Sequence, residues 1–425
     1  MTSISLRYSF LFPIALTLVA CGTQSVDDEG DEQLPDGCDF HFVAGDDDRD
    51  AIQTALSEAE NGSTLCFEGT FEITTDRLST SDKAGLILRG IGEGEGVGAG
   101  AVFDFKDQVG PTGMKFANMQ GITLENLTVA NAAGDGIEVR GSTEVVFRNV
   151  KVTWDRGPST DNGAYAFYPV ESTNILLEGC EASNAADAGV YVGQSDNIIL
   201  RDNVVFSNVS GLQVENSVAV EVYDNVAYDN TVGIFVHDLP AVPKGNGGVV
   251  WIHDNEAYAN NRVNFAPSGI IAKVIPPGLG MLVMSIDEVE VSANDLRDND
   301  SAGLAIVSFL TVELLDPPER EPDPEYDPYP EHYWVHDNTF ANNGMMPDVL
   351  FSVFGFSESL ADIMWDGIFD MSKDNADGWL NICMANNGAA TYANIDTQSL
   401  HGGANMDMSV HDCVHDPIGP VDNGL

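Results

Sequence analysis

Positive charge is scarce in this sequence. Its 425 residues include 18 Lys and Arg against 67 Asp and Glu, which gives a formal net charge of −49. Proteins that bind nucleic acid or an anionic membrane surface need basic patches that meet phosphate groups, so we expect neither partner. The acidity instead fits a secreted protein that stays soluble in salty water and attracts cations.

The signature motifs of several enzyme classes are also absent. The sequence contains no His-Glu-x-x-His, no zinc-type spacing of Cys and His, and no Ser/His/Asp order. It has no Cys-x-x-Cys-His for covalent haem. The glycine-rich residues 90–100 are not followed by Gly-Lys-Ser/Thr, so they give little support for a phosphate-binding loop.

The N-terminus has the features of an export signal. Arg7 precedes an apolar run over residues 8–20 that is too short to span a membrane. The run ends in Leu18-Val19-Ala20-Cys21-Gly22, which resembles a bacterial lipobox. We therefore expect residues 1–20 to be a lipoprotein signal peptide, Cys21 to be lipidated and residues 21–37 to form an acidic tether. Thr23 favours the outer membrane, so the predicted location is the cell envelope.

Five cysteines remain after that cleavage, in a compartment where disulfides persist. Cys38 and Cys66 flank the N-terminal end of the predicted fold, and Cys383 and Cys413 flank its C-terminal segment. We predict these two disulfides. Cys180 falls at an inward position and is predicted to be a buried, free thiol.

A repeat of about 22 residues begins at Ile198 and again at Val220, and the matching residues of the second copy extend to Val236. Each copy has three short runs of alternating apolar residues, separated by Asn or Gly, a pattern typical of strands. One such unit cannot bury its apolar side alone, so the units must stack into a solenoid. The first run begins its apolar series at Ile122, Val145, Ile175, Ile198, Val220, Val250, Val289 and Tyr333.

Two series of corner residues follow these runs. Asn tolerates the left-handed backbone of a corner and forms hydrogen bonds along a stack. The first series is Asn126, Asn149, Gly179, Asn203, Asn225, Asn255, Asn294 and Asn338, and the second is Asn131, Trp154, Asn184, Asn208, Asn230, Asn260, Asn299 and Asn343. The sequence therefore predicts an all-β protein, a parallel β-helix over residues 38–343, followed by a capping segment over residues 344–425.

Several segments depart from the repeat. Residues 46–59 predict a helix with Ile52, Ala55 and Leu56 on one face, which would cover the first coil. Insertions are expected at residues 155–162, 239–248 and 263–278. Residues 316–331, rich in proline and acid, are predicted to be a mobile surface loop.

Four stretches resemble one family. The sequences at residues 162–169 (NGAYAFYP), 187–194 (DAGVYVGQ), 233–240 (GIFVHDLP) and 276–280 (PPGLG) are similar to exported bacterial right-handed parallel β-helix repeat proteins. The resemblance implies the single-stranded pectin-lyase-like architecture shared with pectate lyases and mannuronan epimerases. Family members are often lipoproteins encoded beside a second exported protein. The family has no established function, so the resemblance implies fold and location rather than chemistry.

The third run of each repeat is predicted to carry a functional face. Its outward residues include the expected substrate contacts Arg140, Tyr165, Tyr191, Gln194 and Phe235. Aromatic rings stack on sugar faces and charged groups bind uronates. In the repeat around residue 165 the pattern predicts Ala164 and Ala166 inward and Phe167 outward. The alternative is that Tyr165, Tyr191 and Phe235 only pack beneath inserted loops.

Candidate catalytic residues lie beside this face. His237 and Asp238 form the best acid/base pair, because His titrates near neutral pH, and Glu215 and Arg156 complete the set. Trp154 interrupts the second corner series, and rules of local pattern often fail at functional sites. We predict Trp154 as a wall of the groove, with Arg156 binding a substrate carboxylate; the alternative is that Trp154 only anchors its loop.

A calcium ion is a further candidate ligand. Asp202, Asp224 and Asp254 precede corner residues in successive repeats, and a row of carboxylates attracts a hard cation. Solvated corner residues explain the same pattern, so no metal site is assigned.

These features favour a surface-anchored protein that binds an acidic polysaccharide along the Tyr165–Tyr191–His237 face. Whether it also modifies the polymer, as a lyase, epimerase or glycoside hydrolase, is left open. The second hypothesis is a non-catalytic module of the cell envelope that docks a co-encoded exported protein or serves a structural role.

Overall fold

The computed structural model describes residues 34–45, 48–315, 323–373, 381–397 and 404–425. The expected signal peptide, Cys21 and most of the tether lie outside these residues. Within the described residues the chain winds into coils, and successive coils add parallel strands to three stacks. The predicted all-β parallel β-helix is confirmed.

The strands are numbered here in chain order. The first sheet contains β1 (Phe40–Val43), the first half of β2 (Thr64–Glu72), β4 (Ala84–Gly90), β7 (Gln120–Glu125), β10 (Thr143–Arg148), β13 (Thr173–Glu178), β16 (Asp196–Arg201), β19 (Val218–Tyr223), β22 (Gly248–His253), β25 (Asp287–Ser292), β28 (Tyr333–His336) and β31 (Ile382–Ala385). The second sheet contains the rest of β2, β5 (Ala101–Asp104), β8 (Leu127–Ala130), β11 (Lys151–Thr153), β14 (Glu181–Ser183), β17 (Val204–Phe206), β20 (Val226–Tyr228), β23 (Glu256–Tyr258), β26 (Asp295–Arg297) and β29 (Thr339–Ala341). The third sheet contains β3 (Leu78–Ser81), β6 (Met114–Ala117), β9 (Ile137–Arg140), β12 (Tyr165–Val170), β15 (Ala188–Gly193), β18 (Ser210–Glu215), β21 (Val232–His237), β24 (Leu279–Met284), β27 (Ala302–Val307), β30 (Ile363–Trp365) and β32 (Tyr392–Asn394).

Inward side chains of the first sheet stack in unbroken register. The predicted series from Ile122 to Tyr333 pairs residue by residue across the coils. It extends to Leu86 at one end and Ile382 at the other. Each member is at most 1% exposed and belongs to one apolar core that runs along the axis. Burial of this continuous core holds the coils together.

Buried asparagines join successive coils at two corners. The backbone N–H and the side-chain amide of Asn203 both donate to Asn225 Oδ1, at 3.0 and 2.9 Å. The same pair of bonds repeats through Asn255, Asn294, Asn338 and finally Asn387. At the second corner Asn208, Asn230, Asn260, Asn299 and Asn343 form an equivalent ladder. These bonds satisfy amide groups that would otherwise be costly to bury.

The early members of the predicted first series lie one residue off this ladder. Asn126, Asn149 and Gly179 have φ angles of 56°, 53° and 61° and align with Asp202 of the later coils. The buried slot in the third of these coils is occupied by Cys180, whose N–H donates to Asn203 Oδ1. Asn is favoured both in the left-handed position and in the buried slot beside it, so the sequence pattern merged two positions.

The second corner shows the same shift and corrects the role of Trp154. Asn131 and Asn184 are left-handed, with φ angles of 58° and 70°. Trp154 is 2% exposed within the main core, and its Nε1 donates to the Ala132 carbonyl at 2.7 Å. The prediction that Trp154 walls a groove is therefore wrong, because its indole ring packs inside the coil.

The N-terminal cap and the cysteines follow the predictions. Helix α1 (Asp48–Glu58) buries Ile52, Ala55 and Leu56 against the first coil. Disulfides Cys38–Cys66 and Cys383–Cys413 are both present. Cys180 is buried and free, and burial raises the pKa of its thiol to about 12.

The coils continue beyond the predicted boundary at residue 343. Strands β30, β31 and β32 pair in parallel with the preceding coils, so the strand stacks extend to Asn394. The long connections carry helix α2 (Phe309–Leu315) and 3₁₀ helices at Ile271–Val274 and Val349–Phe354, and Met408–His411 packs on the last coil. The boundary was placed too early because inserted residues obscure the repeat after Asn343.

The chain end does more than cap the stack. After Cys413 it turns back across the outer side of the first sheet. The N–H groups of Ile418 and Val421 donate to Glu290 and Glu221, and Asn423 Nδ2 donates to the Ile175 carbonyl at 3.0 Å. The last residues therefore contact coils from β25 back to β13.

Candidate functional site

The outer surface of the third sheet changes character along the stack. Its central row of outward residues, read in register from β6, is Lys115, Glu138, Tyr168, Tyr191, Gln213, Phe235, Leu282, Ala305, Met364 and Ala393. We call the outer surface of β6, β9, β12, β15 and β18 the upstream face. The outer surface of β21, β24, β27, β30 and β32 is the downstream face. The upstream face is polar and aromatic, whereas the downstream face is mostly apolar.

The downstream face is covered by a second apolar core. Segments around residues 265–275, helix α2 and the 3₁₀ helix Val349–Phe354 pack their apolar side chains onto it. Phe235, an expected substrate contact, is 1% exposed beneath them. The prediction for Phe235 is wrong, and the alternative that it packs under an inserted segment is correct. A cavity of about 70 Å³ in this core is lined almost wholly by apolar side chains, so it offers few hydrogen bonds to a sugar.

His237 and Asp238 lie under the same cover, at 0% and 1% exposure. Burial lowers the pKa of His237 to about 3 and raises that of Asp238 to about 7. Asp238 Oδ2 accepts from the Gly247 N–H at 2.6 Å, and Tyr326 donates its hydroxyl to the Asp238 carbonyl at 2.9 Å. A polymer on the surface cannot touch this pair, so the predicted acid/base role is not supported by the geometry.

The proline-rich segment at residues 316–331 was predicted to be a mobile loop. Its residues 316–322 lie outside the described part of the chain, but residues 323–331 are held by several hydrogen bonds. Pro328 O accepts from the hydroxyls of Ser285 and Ser308, at 2.6 and 2.7 Å. This part of the predicted mobile loop is therefore docked on the third sheet.

Glu215 lies at the boundary between the two faces. Its Oε1 accepts from the Tyr191 hydroxyl at 2.9 Å, and its Oε2 is 4.0 Å from His237 Nε2. Burial raises the pKa of Glu215, and hydrogen bonds from Tyr191 and Gln194 oppose that rise. Gln213 Nε2 lies 3.1 Å from His237 Nε2. Of the four predicted catalytic groups, the structure brings Glu215, His237 and Asp238 near one another.

Arg156 is not part of this group. It is exposed in the corner insertion at residues 155–162, where Nη1 is 3.5 Å from the Asp161 carbonyl. The insertion is local, since Asn162 Nδ2 donates to the Gly157 carbonyl at 2.8 Å. Arg156 therefore contacts its own loop rather than the predicted catalytic groups.

Two cations and a buried carboxylate begin the upstream face. Glu138, 6% exposed, is bound by Lys115 at 3.0 Å and by Arg140 at 3.2 Å. Arg140 also pairs with Glu171 at 2.6 Å and donates to the Tyr168 hydroxyl at 3.1 Å. The side chains of Lys115 and Arg140 remain about one-third exposed. Sequence analysis identified Arg140 and the outward position of Glu138 but missed Lys115, which the register between β6 and β9 places beside them.

Three tyrosines form the centre of the upstream face. The ring centroids of Tyr165 and Tyr191 are 4.6 Å apart, and Tyr168 lies 4.8 Å from Tyr165 and 5.2 Å from Tyr191. Tyr165 and Tyr168 are half-buried, whereas Tyr191 is 5% exposed. These rings offer apolar surface and hydroxyl groups on one side of a rigid sheet.

The expected register of β12 is wrong. Phe167 pairs with Ile137 and Val190 and packs in the main core, so it points inward. Tyr168 therefore takes the place in the central row that was assigned to Tyr165. Counting from Gly163 gave the wrong phase, because the corner insertion lengthens the approach to this strand.

Two acids beside Tyr165 have raised pKa values. Burial raises the pKa of Asp135 to about 6 and that of Asp187 to about 7. The Tyr165 N–H donates to Asp135 Oδ1 at 3.2 Å. A hydrogen bond with the Tyr165 side chain offsets part of the rise in the pKa of Asp187 that burial causes. Asp187 is 3% exposed, and its Oδ1 has no partner among the described residues. Both acids were missed, although Asp187 begins one of the stretches that resemble the family.

Gln194 lies at the third corner, next to Tyr191 and Glu215. Its φ is 53°, so it forms the left-handed turn after β15. A serine ladder adjoins this corner, in which the N–H groups of Ser142, Ser172 and Ser195 donate to the hydroxyl of the serine in the next coil. Gln194 is therefore both a corner residue and a neighbour of the candidate site.

The calcium candidates are exposed corner residues. Asp202, Asp224 and Asp254 have φ angles of 57°, 53° and 51°, a conformation that Asp tolerates. Among the described residues, the group of carboxylates close enough to share a cation is instead Asp287, Asp327 and Glu331. Lys373 pairs with two of these, Asp327 and Glu331. Burial and the two neighbouring acids raise the pKa of Asp287 to about 8, so a proton and an ammonium group already reduce the negative charge there.

None of the helices in the described part of the chain has the length and apolar character needed to cross a bilayer.

Comparisons with known proteins agree with the coil architecture. The right-handed β-helix region family matches residues 112–247. Among solved structures, the A-module of the Azotobacter vinelandii mannuronan C-5 epimerase AlgE4 is similar, with a TM-score of 0.52, 16% identity, and coverage of 83% of this chain and 92% of that one. The A-module of AlgE6 from the same organism gives 0.50, 16%, 78% and 87%. A comparison with curated protein sequences finds no match. At this identity the likeness concerns the fold alone, and it agrees with the parallel β-helix that the strand pairing shows.

Proposed function

We propose that this protein binds an acidic polysaccharide on its upstream face. The observation that carries the proposal is the grouping of partly exposed cations and tyrosine rings on one side of a rigid sheet. Tyr165 and Tyr168 present half-buried rings of the kind that stack on sugars. Lys115 and Arg140 lie at one end of this ring surface.

The cations support a uronate as the sugar. Arg140 carries five N–H donors in a planar fork that matches a carboxylate. Glu138 and Glu171 already hold part of this guanidinium and so orient it. In a chain of net charge −49, a local pair of cations is the feature that would select an anionic polymer. The proposed function resembles that of enzymes with a similar fold, such as the mannuronan epimerases.

Asp135 supports modification of the bound polymer as part of this proposal. Carboxyl groups with pKa values near the working pH exchange protons efficiently, and Asp135 is partly exposed beside Tyr165 with a pKa of about 6. A base that removes the proton beside a uronate carboxylate starts both lyase and epimerase chemistry. In the lyase, the sugar–oxygen bond then breaks and a carbon–carbon double bond forms. In the epimerase, a proton returns to the opposite face.

Binding is tested with purified protein and uronate polymers. Arg140→Ala is expected to raise the Kd about tenfold, since hydrogen bonds to charged groups contribute ~1.5–3 kcal/mol. Arg156→Ala is the matched control and should change the Kd less than twofold. Equal losses for both variants, or binding that neither variant alters, would place the polymer elsewhere. Ultraviolet absorbance of the unsaturated product and NMR of the sugar protons separate lyase from epimerase action.

We also propose that Cys21 anchors the protein to the outer membrane. The supporting observation is the sequence Leu18-Val19-Ala20-Cys21-Gly22 after a short apolar run. Cells that express wild-type protein should incorporate labelled fatty acid into it and retain it in outer-membrane fractions. Cys21→Ser should abolish the label and release the protein. Unlabelled wild-type protein would refute the anchor and leave the sugar-binding proposal intact.

A second candidate function is docking of another exported protein. Apolar side chains stand exposed on the segments that cover the downstream face, including Leu314 at 55% and Val349 at 79%. Exposed apolar patches often mark protein contacts. If docking is the function, Leu314→Glu with Val349→Glu should abolish binding of the neighbouring gene product, while Arg140→Ala should not.

A further inference from the structure

We propose that the upstream face receives the end of a glycan chain rather than an internal stretch. This inference rests on the proposed function and adds the kind of substrate that the face selects. It follows from the shape of the third sheet, which is open at one end of its outer surface and closed at the other.

The open part runs along the helix axis. Lys115, Tyr168 and Tyr191 follow one another in register on β6, β12 and β15. Adjacent strands lie about 4.8 Å apart, so the four strands from β6 to β15 span roughly 14 Å. A sugar chain that contacts these residues in turn must lie along the axis and is limited to a short stretch.

Exposure of the outward side chains falls from Tyr168, which is half-buried, to Tyr191 at 5%, and it stays low after β15. Gln213 and Glu215 on β18 are 1% and 6% exposed, and Phe235 and His237 on β21 are at most 1% exposed. The second apolar core continues without a break over the later strands. A chain aligned with the axis therefore meets a barrier at β18 and cannot pass over β21.

The barrier is fixed on the side of the third corner. Asn216 and Leu239 exchange two hydrogen bonds of 3.0 and 2.9 Å. Lys244 reaches back to the earlier coil, where its Nζ donates to the Ser195 carbonyl at 2.9 Å and to Asp196 at 2.5 Å. The loop at residues 239–247 therefore forms a wall beside Gln194 rather than a lid that swings freely.

The opposite edge of the third sheet also carries insertions. Pro158 of the corner insertion and residues 261–265 line a shared cleft of about 430 Å³. Arg262 is fixed there, because it pairs with Asp229 and its Nε donates to the Asp229 carbonyl at 3.0 Å. Because insertions stand along both edges of the third sheet, we expect the sugar chain to enter from the β6 end.

Polar groups without partners flank β15 and β18, with Asp187 and Ser210 at the start of these strands and Gln194 at the end of β15. Within the described residues, Asp187 Oδ1, Gln194 Oε1, Ser210 Oγ and Gln213 Oε1 are buried and lack hydrogen-bond partners. Asp187 is 3% exposed and Ser210 is 0% exposed. Buried acceptors of this kind are normally satisfied by water or ligand. A terminal sugar carries a free hydroxyl that an internal sugar uses in its glycosidic bond, so these acceptors favour a chain end.

A length series of oligouronates tests the inference on the wild-type protein. Oligogalacturonates and oligomannuronates of defined length, from dimer to polymer, are titrated and the Kd is expressed per chain. The Kd should stop improving once a short oligomer fills the face. Modification of one end, by borohydride reduction at the reducing end or by an unsaturated sugar at the other, should raise the Kd at least tenfold.

Two results would overturn the proposal. Affinity per chain that keeps rising with length, or that survives modification of both ends, shows internal binding and refutes end recognition alone. No binding of any uronate chain refutes the proposed function as well.

A wall variant provides an independent measurement. Lys244→Ala removes the contact to Ser195 and Asp196, so discrimination between native and end-modified oligomers should fall at least threefold. Lys273→Ala, an exposed lysine of the covering segment, is the matched control and should leave discrimination unchanged. Equal discrimination in wild type and Lys244→Ala would contradict a role for this wall.

Discussion

The upstream and downstream faces belong to one sheet with one register, yet their outward residues differ in polarity. The coils of β15 and β18 have the basic repeat length, and their outward residues Tyr191 and Gln213 are polar or amphipathic. The coils that follow carry long insertions, and their outward residues Leu282 and Met364 are apolar and buried. Tyr191 and Gln213 are themselves 5% and 1% exposed, so the two faces differ in polarity rather than in burial alone. In this solenoid, long insertions accompany the part of the sheet whose outer side is apolar and forms a second core.

The largest difference in the free energy of unfolding should come from removing one aromatic ring on the downstream face. Phe235→Ala is expected to lower the free energy of unfolding by ~3–5 kcal/mol, because it leaves a cavity in a closed apolar core. The control is Phe206→Ala on the outer side of the second sheet, where the ring is half-exposed and stacks on Tyr228 at 5.2 Å. That change should cost about 1 kcal/mol. Similar losses in denaturant titrations of the two variants would show that the downstream face is not a true core.

The next effect depends on pH and concerns Asp187 on the upstream face. Its folded pKa of about 7 lies above its ordinary value of 3.8, so the folded state binds the proton more tightly. Stability from this group therefore falls as pH rises from about 4 to about 7. Asp187→Asn should remove that loss and stabilise the protein by up to about 4 kcal/mol at pH 8.

The stabilisation by Asp187→Asn should vanish near pH 4, where the carboxyl is largely protonated in both the folded and the unfolded state. Thermal unfolding at a series of pH values measures this stabilisation, with Asp202→Asn at an exposed corner as the control. A gain that does not vary with pH would mean that burial of this acid is not the cause.

A smaller effect is expected at the boundary between the faces. Tyr191→Phe removes the hydroxyl that donates to Glu215 at 2.9 Å. The loss should be ~1–2 kcal/mol, since a buried acceptor then lacks its partner. Tyr228→Phe, on the second sheet, should change the unfolding free energy by less than half as much. Denaturant midpoints that move equally would argue that Glu215 gains another donor.

The smallest effect should be at Arg156. Arg156→Ala is expected to change the free energy of unfolding by less than about 0.5 kcal/mol, because the side chain is exposed in its own loop. A loss above 1 kcal/mol in the same denaturant assay would mean that the corner insertion supports the upstream face.

Sequence patterns predicted the architecture well because repeats average out local noise. The inward series from Ile122 to Tyr333 has a strict period and is buried throughout. The predicted corner positions in the early coils were wrong by one residue, since Asn suits both the left-handed turn and the adjacent buried slot. The phase of β12 failed for a related reason: the count began at Gly163, whereas Ala166 aligns with Gly189, and a shift of three positions moves Phe167 from surface to core.

The candidate site was less predictable than the fold. Arg140, Tyr165 and Tyr191 were found because their residue types stand out on an outward row. Lys115 and Asp187 were missed, since their proximity depends on the register between coils far apart in sequence. The burial of His237 and Asp238 was also missed. Asp238 contacts Gly247, in a predicted insertion whose path the sequence does not fix, and Tyr326, 88 residues further along the chain.

The returning chain end gives the solenoid a property that a simple stack lacks. Terminal coils of repeat proteins normally fray first and independently of the middle. Here Asn423 binds the Ile175 carbonyl, 248 residues away in the chain. Opening of the last coil is therefore coupled to the middle of the stack, as a strap couples the two parts that it crosses. Truncation after Cys413 should raise hydrogen exchange in β13 and β19 as well as at the end, so the last twelve residues set how much of the molecule unfolds together.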